Sequence, residues 1–191
     1  MFNLLNLFFK DESSQWKPSY KIPLWFDIQT ESLNNIRIGD AAEKLRAFGR
    51  PANKRPFKTG RFEYHLLGFE VETENNRIIN FCFMVNDQSF SGGGITYRAR
   101  YANCELTITL ANGRQLKIDR MTRIADVEEI LGVSPNKDFD DEDGKCDGSS
   151  YVEGRLSLYF SWLEDGRIED IIVEMREDWF DFVLWTGKKT F

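Results

Sequence analysis

Glu74-Asn75-Asn76-Arg77-Ile78-Ile79 and Glu164-Asp165-Gly166-Arg167-Ile168-Glu169 follow one pattern: a polar turn, then Arg-Ile, then a β-type run, 90 positions apart (167 minus 77). Upstream of each lies a short amphipathic segment closed by Gly and then Pro. These are Asp40 to Phe48 before Gly49 and Pro51, and Thr122 to Leu131 before Gly132 and Pro135. Self-similarity at a fixed spacing predicts two copies of one helix-plus-hairpin unit.

Working outward, Asp40 reads as an N-cap with Glu43 completing a capping box, and Ile38, Ala41, Ala42, Leu45 and Phe48 form the apolar stripe. Gly49 is expected to stop this helix in a left-handed conformation, and Pro51 prevents its resumption. Thr122 is the expected cap of the second helix, whose stripe is Ile124, Val127, Ile130 and Leu131. Strand-like alternation follows each helix. Phe62, Tyr64 and Leu66 oppose Glu63 and His65; Phe69, Val71 and Thr73 oppose Glu70 and Glu72; Ile79, Phe81 and Phe83 close the meander. In the second copy Leu156, Leu158, Phe160 and Trp162 face Ile171, Val173 and Met175 across Asp165-Gly166. Cys104 to Leu110 and Gln115 to Ile118 meet through Asn112-Gly113, a strong hairpin signal. Each strand has one greasy and one polar side, as in an antiparallel sheet covered on one face.

Lys21 to Ile28 is an aromatic strand with Pro23 at its start or on an edge. The apolar Met1 to Phe9 is expected to dock on the body, and Trp179 to Trp185 to form a last strand. The expected fold class is α+β, two tandem helix-plus-antiparallel-sheet units with one sheet face open. Its parts are an N-terminal segment 1–34, a first unit 35–118 and a second, acidic unit 119–191.

The 191 residues are 41% hydrophobic and 29% charged, as in soluble globular proteins. Cys82, Cys104 and Cys146 are odd in number without CxxC spacing, which suits a reducing compartment. Cys82 and Cys104 read as small buried hydrophobes. Met1 to Phe9 lacks a basic leader and is too short for a membrane span, so the expected location is cytoplasmic. Charge is uneven. Residues 119–191 hold 19 acids and 9 Lys/Arg, net −10, against 12 and 16 in residues 1–118, net +4. Such a second half repels nucleic acid and attracts a basic partner.

Few residues carry recognisable chemistry. His65 is the sole histidine, on the polar side of its strand beside Glu63, and no G-x-S-x-G accompanies it. The run Asp138-Phe139-Asp140-Asp141-Glu142-Asp143-Gly144 invites a calcium reading, but placing Gly144 at the sixth position of an EF-hand puts Phe139 first and Ser150 twelfth. A solvated loop or a docking loop fits better. Ser91-Gly92-Gly93-Gly94 lacks the Lys-Ser/Thr of a P-loop, and Tyr97, Arg98, Arg100 and Tyr101 are a thin stripe for single-stranded nucleic acid. No cofactor and no metal is expected.

The stretch Ile36-Arg37-Ile38-Gly39-Asp40 through Leu45-Arg46-Ala47-Phe48-Gly49-Arg50-Pro51, with the hairpin Trp162 to Val173, resembles a bacterial family. That family joins the small outer-membrane assembly lipoproteins of the SmpA/OmlA type to the β-lactamase inhibitory proteins. The first segment is also similar to the opening of uncharacterised bacterial cytoplasmic proteins. The resemblance covers roughly residues 36 to 175. It implies a tandem architecture in which each helix packs on one sheet face and the other face grips a protein.

The expected function is a non-enzymatic, bacterial protein-binding module of the immunity-protein or inhibitor kind, neutralising a toxin or enzyme. The partner is expected to be a basic protein. Candidate partner-binding residues are Asp138, Asp140, Asp141, Glu142 and Asp143 in the acidic loop, with Glu63, His65, Glu72 and Tyr159 on the sheet. A structural or envelope-assembly factor is the alternative. A carboxylate-based hydrolase using Glu63, Glu70 or Glu72 comes third.

Overall fold

The computed structural model describes residues 11–86, 90–92, 95–97, 101–139 and 144–176. The strands are β1 (Leu24–Asp27), β2 (Ser32–Leu33), β3 (Ile36–Arg37), β4 (Arg61–Tyr64), β5 (Phe69–Glu74), β6 (Arg77–Met84), β7 (Phe90–Gly92), β8 (Ile95–Tyr97), β9 (Leu106–Thr109), β10 (Gln115–Ile118), β11 (Asn136–Phe139), β12 (Cys146–Glu153), β13 (Leu156–Trp162) and β14 (Ile168–Met175). They form a five-stranded sheet in the order β10-β9-β1-β2-β3, a seven-stranded sheet in the order β11-β12-β13-β14-β6-β5-β4, and a β7-β8 ribbon. Among the described residues, two α-helices, α1 (Pro56–Thr59) and α2 (Ile124–Leu131), and 3-10 turns at Glu12–Gln15 and Ala42–Phe48 complete an α+β architecture.

Alternation places Phe62, Tyr64, Phe69, Val71, Phe81, Phe83, Leu158, Phe160, Ile171 and Val173 on one face of the seven-stranded sheet, all of them buried. The five-stranded sheet packs on that face, where Phe26 meets Phe81 edge-on at 6.0 Å. The 3-10 turn Ala42–Phe48 lies on the same face, its Phe48 ring 5.0 Å from Phe69 and 5.7 Å from Tyr64. Each such side chain contributes about 1.5–3 kcal/mol by leaving water. Tyr64 and Tyr151 reach into the same layer, donating to the carbonyls of Leu45 and Gly132 at 3.1 and 3.2 Å. Covering one face this way leaves the polar side chains on the other.

At the centre of the large sheet β6 and β14 run antiparallel, with Phe83 opposite Ile171, Cys82 opposite Ile172 and Phe81 opposite Val173. Each strand carries a register shift near its start. In the β5–β6 pair it falls between Glu72 and Thr73 and leaves Ile79 without an opposite residue. In the β13–β14 pair it sets Glu169 and Asp170 against Ser161. Backbone bonds tie each helix start to its strand. Ala42 N–H donates to Asn76 and Ile78 N–H to Asp40; Ile124 N–H donates to Gly166 and Ile168 N–H to Thr122.

Several expectations are corrected. Helix 40–48 is a 3-10 turn from Ala42, with Ala41 in the cap position. Asp40 does not cap it, because its carboxylate accepts from the N–H of Arg37 and from Lys44 Nζ. Thr122 is likewise displaced as cap by Arg123, whose N–H is held by Asp126 Oδ2 at 2.8 Å. Gly49 has positive φ, but its ψ of −164° is extended rather than left-handed helical. Leu66 leaves the strand for a turn and is 61% exposed. Ile79 gives up its core position to Ile78, because the bulge reverses the alternation. Cys82, between Phe81 and Phe83, points to the polar face and is only partly buried. The sheets are not wholly antiparallel, since β1 pairs parallel to β9, Leu24 opposite Leu106. Pro23 immediately precedes β1, where its missing N–H interrupts no ladder.

Met1 to Phe9, Gly93, Gly94, Arg98, Arg100, Asp140 to Asp143 and Trp179 to Trp185 lie outside the described residues. The seven-stranded sheet draws strands from both sides of residue 118.

Candidate functional site

Register defines the polar face of the large sheet. Glu63 stands opposite Glu70, Glu70 opposite Cys82, Cys82 opposite Ile172, Ile172 opposite Tyr159, and Tyr159 opposite Ser150. A neighbouring row holds Arg61, Glu72, Asn80, Glu174 and Ser157.

At the β4 end the side chains form a tight polar cluster. Arg61 grips Glu70 Oε2 through Nε at 3.0 Å and a terminal nitrogen at 2.5 Å, and Tyr101 donates its hydroxyl to the same oxygen at 2.8 Å. His65 Nε2 lies 3.0 Å from Glu63 Oε2, and its ring meets Tyr101 edge-on at 4.6 Å. Tyr101 therefore lies over the cluster, and Glu70 is only 6% exposed. Burial pulls the Arg61 guanidinium down, but the hydrogen bond and charge of Glu70 outweigh it and the net shift is upward. Burial, reinforced by Glu70, raises the Tyr101 phenol well above its ordinary range. In the second row Asn80 Nδ2 donates to Glu72 at 2.9 Å.

At the other end Tyr159 donates to Asp138 Oδ2 at 3.1 Å. Burial first and Asp138 second push this phenol up to about 12. Of the residues expected to bind a partner, Glu63, His65 and Glu72 thus gather at one end and Tyr159 and Asp138 at the other. Four strand spacings between β4 and β13 separate Glu63 from Tyr159, about 19 Å. Asp140, Asp141, Glu142 and Asp143 are outside the described residues. Arg61 was not singled out in the sequence, although the alternation that sets Glu63 on the polar side, carried two positions back, would have placed it there. Nothing in the sequence ties Tyr101 to Glu70, 31 positions away (101 minus 70).

The thiols are held in their protonated form. Burial, with the charges of Asp170 and Glu70 behind it, raises Cys82, and burial pushes Cys104 up to about 12. Among the described residues no cluster of three or more His, Cys, Asp or Glu is placed to hold a metal ion. None of their helices is long and apolar enough to cross a membrane. Beside β4 a cleft of about 270 Å³ is lined by Pro18, Ser19, Arg50, Ala52, Tyr64, His65 and Leu66, so His65 borders both the sheet face and this cleft.

No family model matches the chain, and no curated protein matches it. Among solved structures it is similar to that of a DUF4309 family protein, YjgB, from Bacillus subtilis. Identity is 15% over 70% of this chain and 76% of that one, with a TM-score of 0.41.

Proposed function

We propose that the chain is a non-enzymatic protein-binding module built from two copies of one helix-plus-meander unit, and that the polar face of the seven-stranded sheet takes a basic protein partner. The observation that carries this reading is the charge of that face. Among the described strand residues, Glu63, Glu70, Glu72, Asp138, Asp170 and Glu174 stand on it with two arginines, Arg61 and Arg77, and two clusters of these groups lie about 19 Å apart. One small substrate does not reach both clusters. A protein footprint of about 800 Å² does. The tandem reading is supported by the matched helix-to-strand bonds at Ile78 and Ile168 and by the bulges near the start of β6 and of β14. With Cys82 opposite Ile172, and Phe81 and Phe83 opposite Val173 and Ile171, the central pair is that of a local two-fold axis.

A bacterial immunity protein or inhibitor acting in the cytoplasm is the form of module we favour, because an acidic face speeds capture of a basic toxin or enzyme. The test immobilises the wild-type chain and a Glu72→Lys, Asp138→Lys variant in parallel, both checked for equal melting temperature, and passes the source lysate over each. A basic protein retained by the wild type and lost from the variant, whose activity falls on adding the free chain, supports the proposal. Retention by both chains, or by neither, refutes the sheet face as the binding surface.

A further inference from the structure

A second cleft belongs to the five-stranded sheet, on the opposite side of its β9–β10 hairpin from the core. It has a volume of about 460 Å³ and is lined by Asn103, Glu105, Leu106, Thr107, Lys117, Ile118, Asp119, Arg120 and Met121. Alternation explains its chemistry. Leu106 and Ile118 turn into the core, so Glu105, Thr107, Lys117 and Asp119 project outward.

Charges of both signs meet here without joining. Thr107 faces Lys117 in the register, which makes Glu105 the diagonal neighbour of Lys117, within reach of a long side chain. No ion pair forms between them. Among the described residues, neither of these side chains nor that of Arg120 makes an ion pair or a hydrogen bond, whereas Arg61, Lys44, Lys137 and Arg155 each find a carboxylate. Asp119 is partly engaged, accepting from the Met121 N–H at 2.7 Å, which fixes the turn and the cleft wall. Met121, 58% exposed, adds an apolar surface beside the charges.

We propose that this cleft binds a free α-amino acid with an apolar side chain. Its carboxylate faces Lys117 and Arg120, its ammonium faces Glu105 and Asp119, and its side chain rests on Met121. The volume lies within the range of small-molecule sites. A ligand carrying both charges close together neutralises both sides of the cleft, which a simple anion or cation does not.

The test uses leucine and two analogues that each lack one charge, N-acetyl-leucine and leucinamide, followed by amide chemical shifts of residues 103–121. Leucine is expected to give saturable shifts, and each analogue to bind about tenfold more weakly. Lys117→Gln should weaken leucine and N-acetyl-leucine about fivefold while leaving leucinamide unchanged. Glu105→Gln should weaken leucine and leucinamide and leave N-acetyl-leucine unchanged. Both positions are exposed on a hairpin whose other face is buried, and unchanged shifts elsewhere verify the fold. Absence of saturable shifts with leucine up to tens of millimolar overturns the proposal. So does a variant that weakens all three ligands equally.

Discussion

Gly49 and Gly132 close the two helical segments in nearly the same backbone conformation, φ 86° with ψ −164° and φ 85° with ψ 172°. Replacing each by alanine is therefore a matched experiment. This region of positive φ and extended ψ is essentially confined to glycine, and an L residue held there costs about 1–3 kcal/mol. Gly132→Ala meets only that cost, since nothing lies within 4 Å of its added Cβ. At Gly49 the new Cβ falls 2.6 Å from Ser19 Cα and 2.7 Å from its nitrogen. Both are backbone atoms, held by the Pro18–Arg50 bridge and by the Arg50 N–H on the Lys17 carbonyl at 2.7 Å. Forcing them apart adds about 1–3 kcal/mol of overpacking. Losing that hydrogen bond adds about 1 kcal/mol more. Gly132→Ala is thus expected to lose about 2 kcal/mol and Gly49→Ala about 5 kcal/mol. Urea unfolding at equal slope measures both. Equal losses would refute the close approach of residues 18–19 to the end of the 3-10 turn.

Tyr101→Phe removes a hydroxyl from a buried carboxylate and should cost about 1.5 kcal/mol in the same assay, more than an exposed tyrosine would. Alkaline titration followed by phenolate absorbance should ionise Tyr159 above the ordinary phenol range. Tyr159 is raised to about 12, so the folded chain keeps a proton that the unfolded chain loses near pH 10; its contribution is complete below pH 10 and is lost as pH rises towards about 12. Glu31 and Arg155 pair through two hydrogen bonds between the β1–β2 and β12–β13 turns, and their double-mutant coupling should be about 0.5–1 kcal/mol and shrink in high salt. Neutralising Asp140, Asp141, Glu142 and Asp143 to Asn or Gln should slow association with the captured partner and flatten its salt dependence, with thermal stability nearly unchanged. An unchanged on-rate at low salt would exclude these four carboxylates from binding.

What was legible in the sequence is what local chemistry decides. Asn112-Gly113 marked the β9–β10 hairpin, and the alternation from Phe62 to Phe83 and from Leu156 to Val173 assigned most side chains to their faces. Ile79 was misassigned because nothing local announces a bulge, which here falls where β6 pairs with β5. The parallel β1–β9 contact joins residues 82 apart (106 minus 24), a distance over which no periodicity speaks. The candidate site divides the same way. Glu63, His65 and Glu72 could be read from their strands, whereas Tyr101 reaches Glu70 from a separate part of the chain. The β9–β10 cleft was missed because unpaired charges on a hairpin look like any solvated face until concavity is known.

The central pairing has a consequence for synthesis. Strand β6 lies between β5 and β14, yet its second neighbour is encoded 90 residues downstream of it (172 minus 82). While the chain emerges from the ribosome, β6 presents a bare backbone edge flanked by Phe81 and Phe83 until β14 arrives. At about 5–20 residues per second that interval lasts several seconds. An edge of this kind pairs readily with another like itself, including one on a neighbouring nascent chain. Crowded translation should therefore yield exchanged dimers in which β14 of one molecule completes the sheet of another.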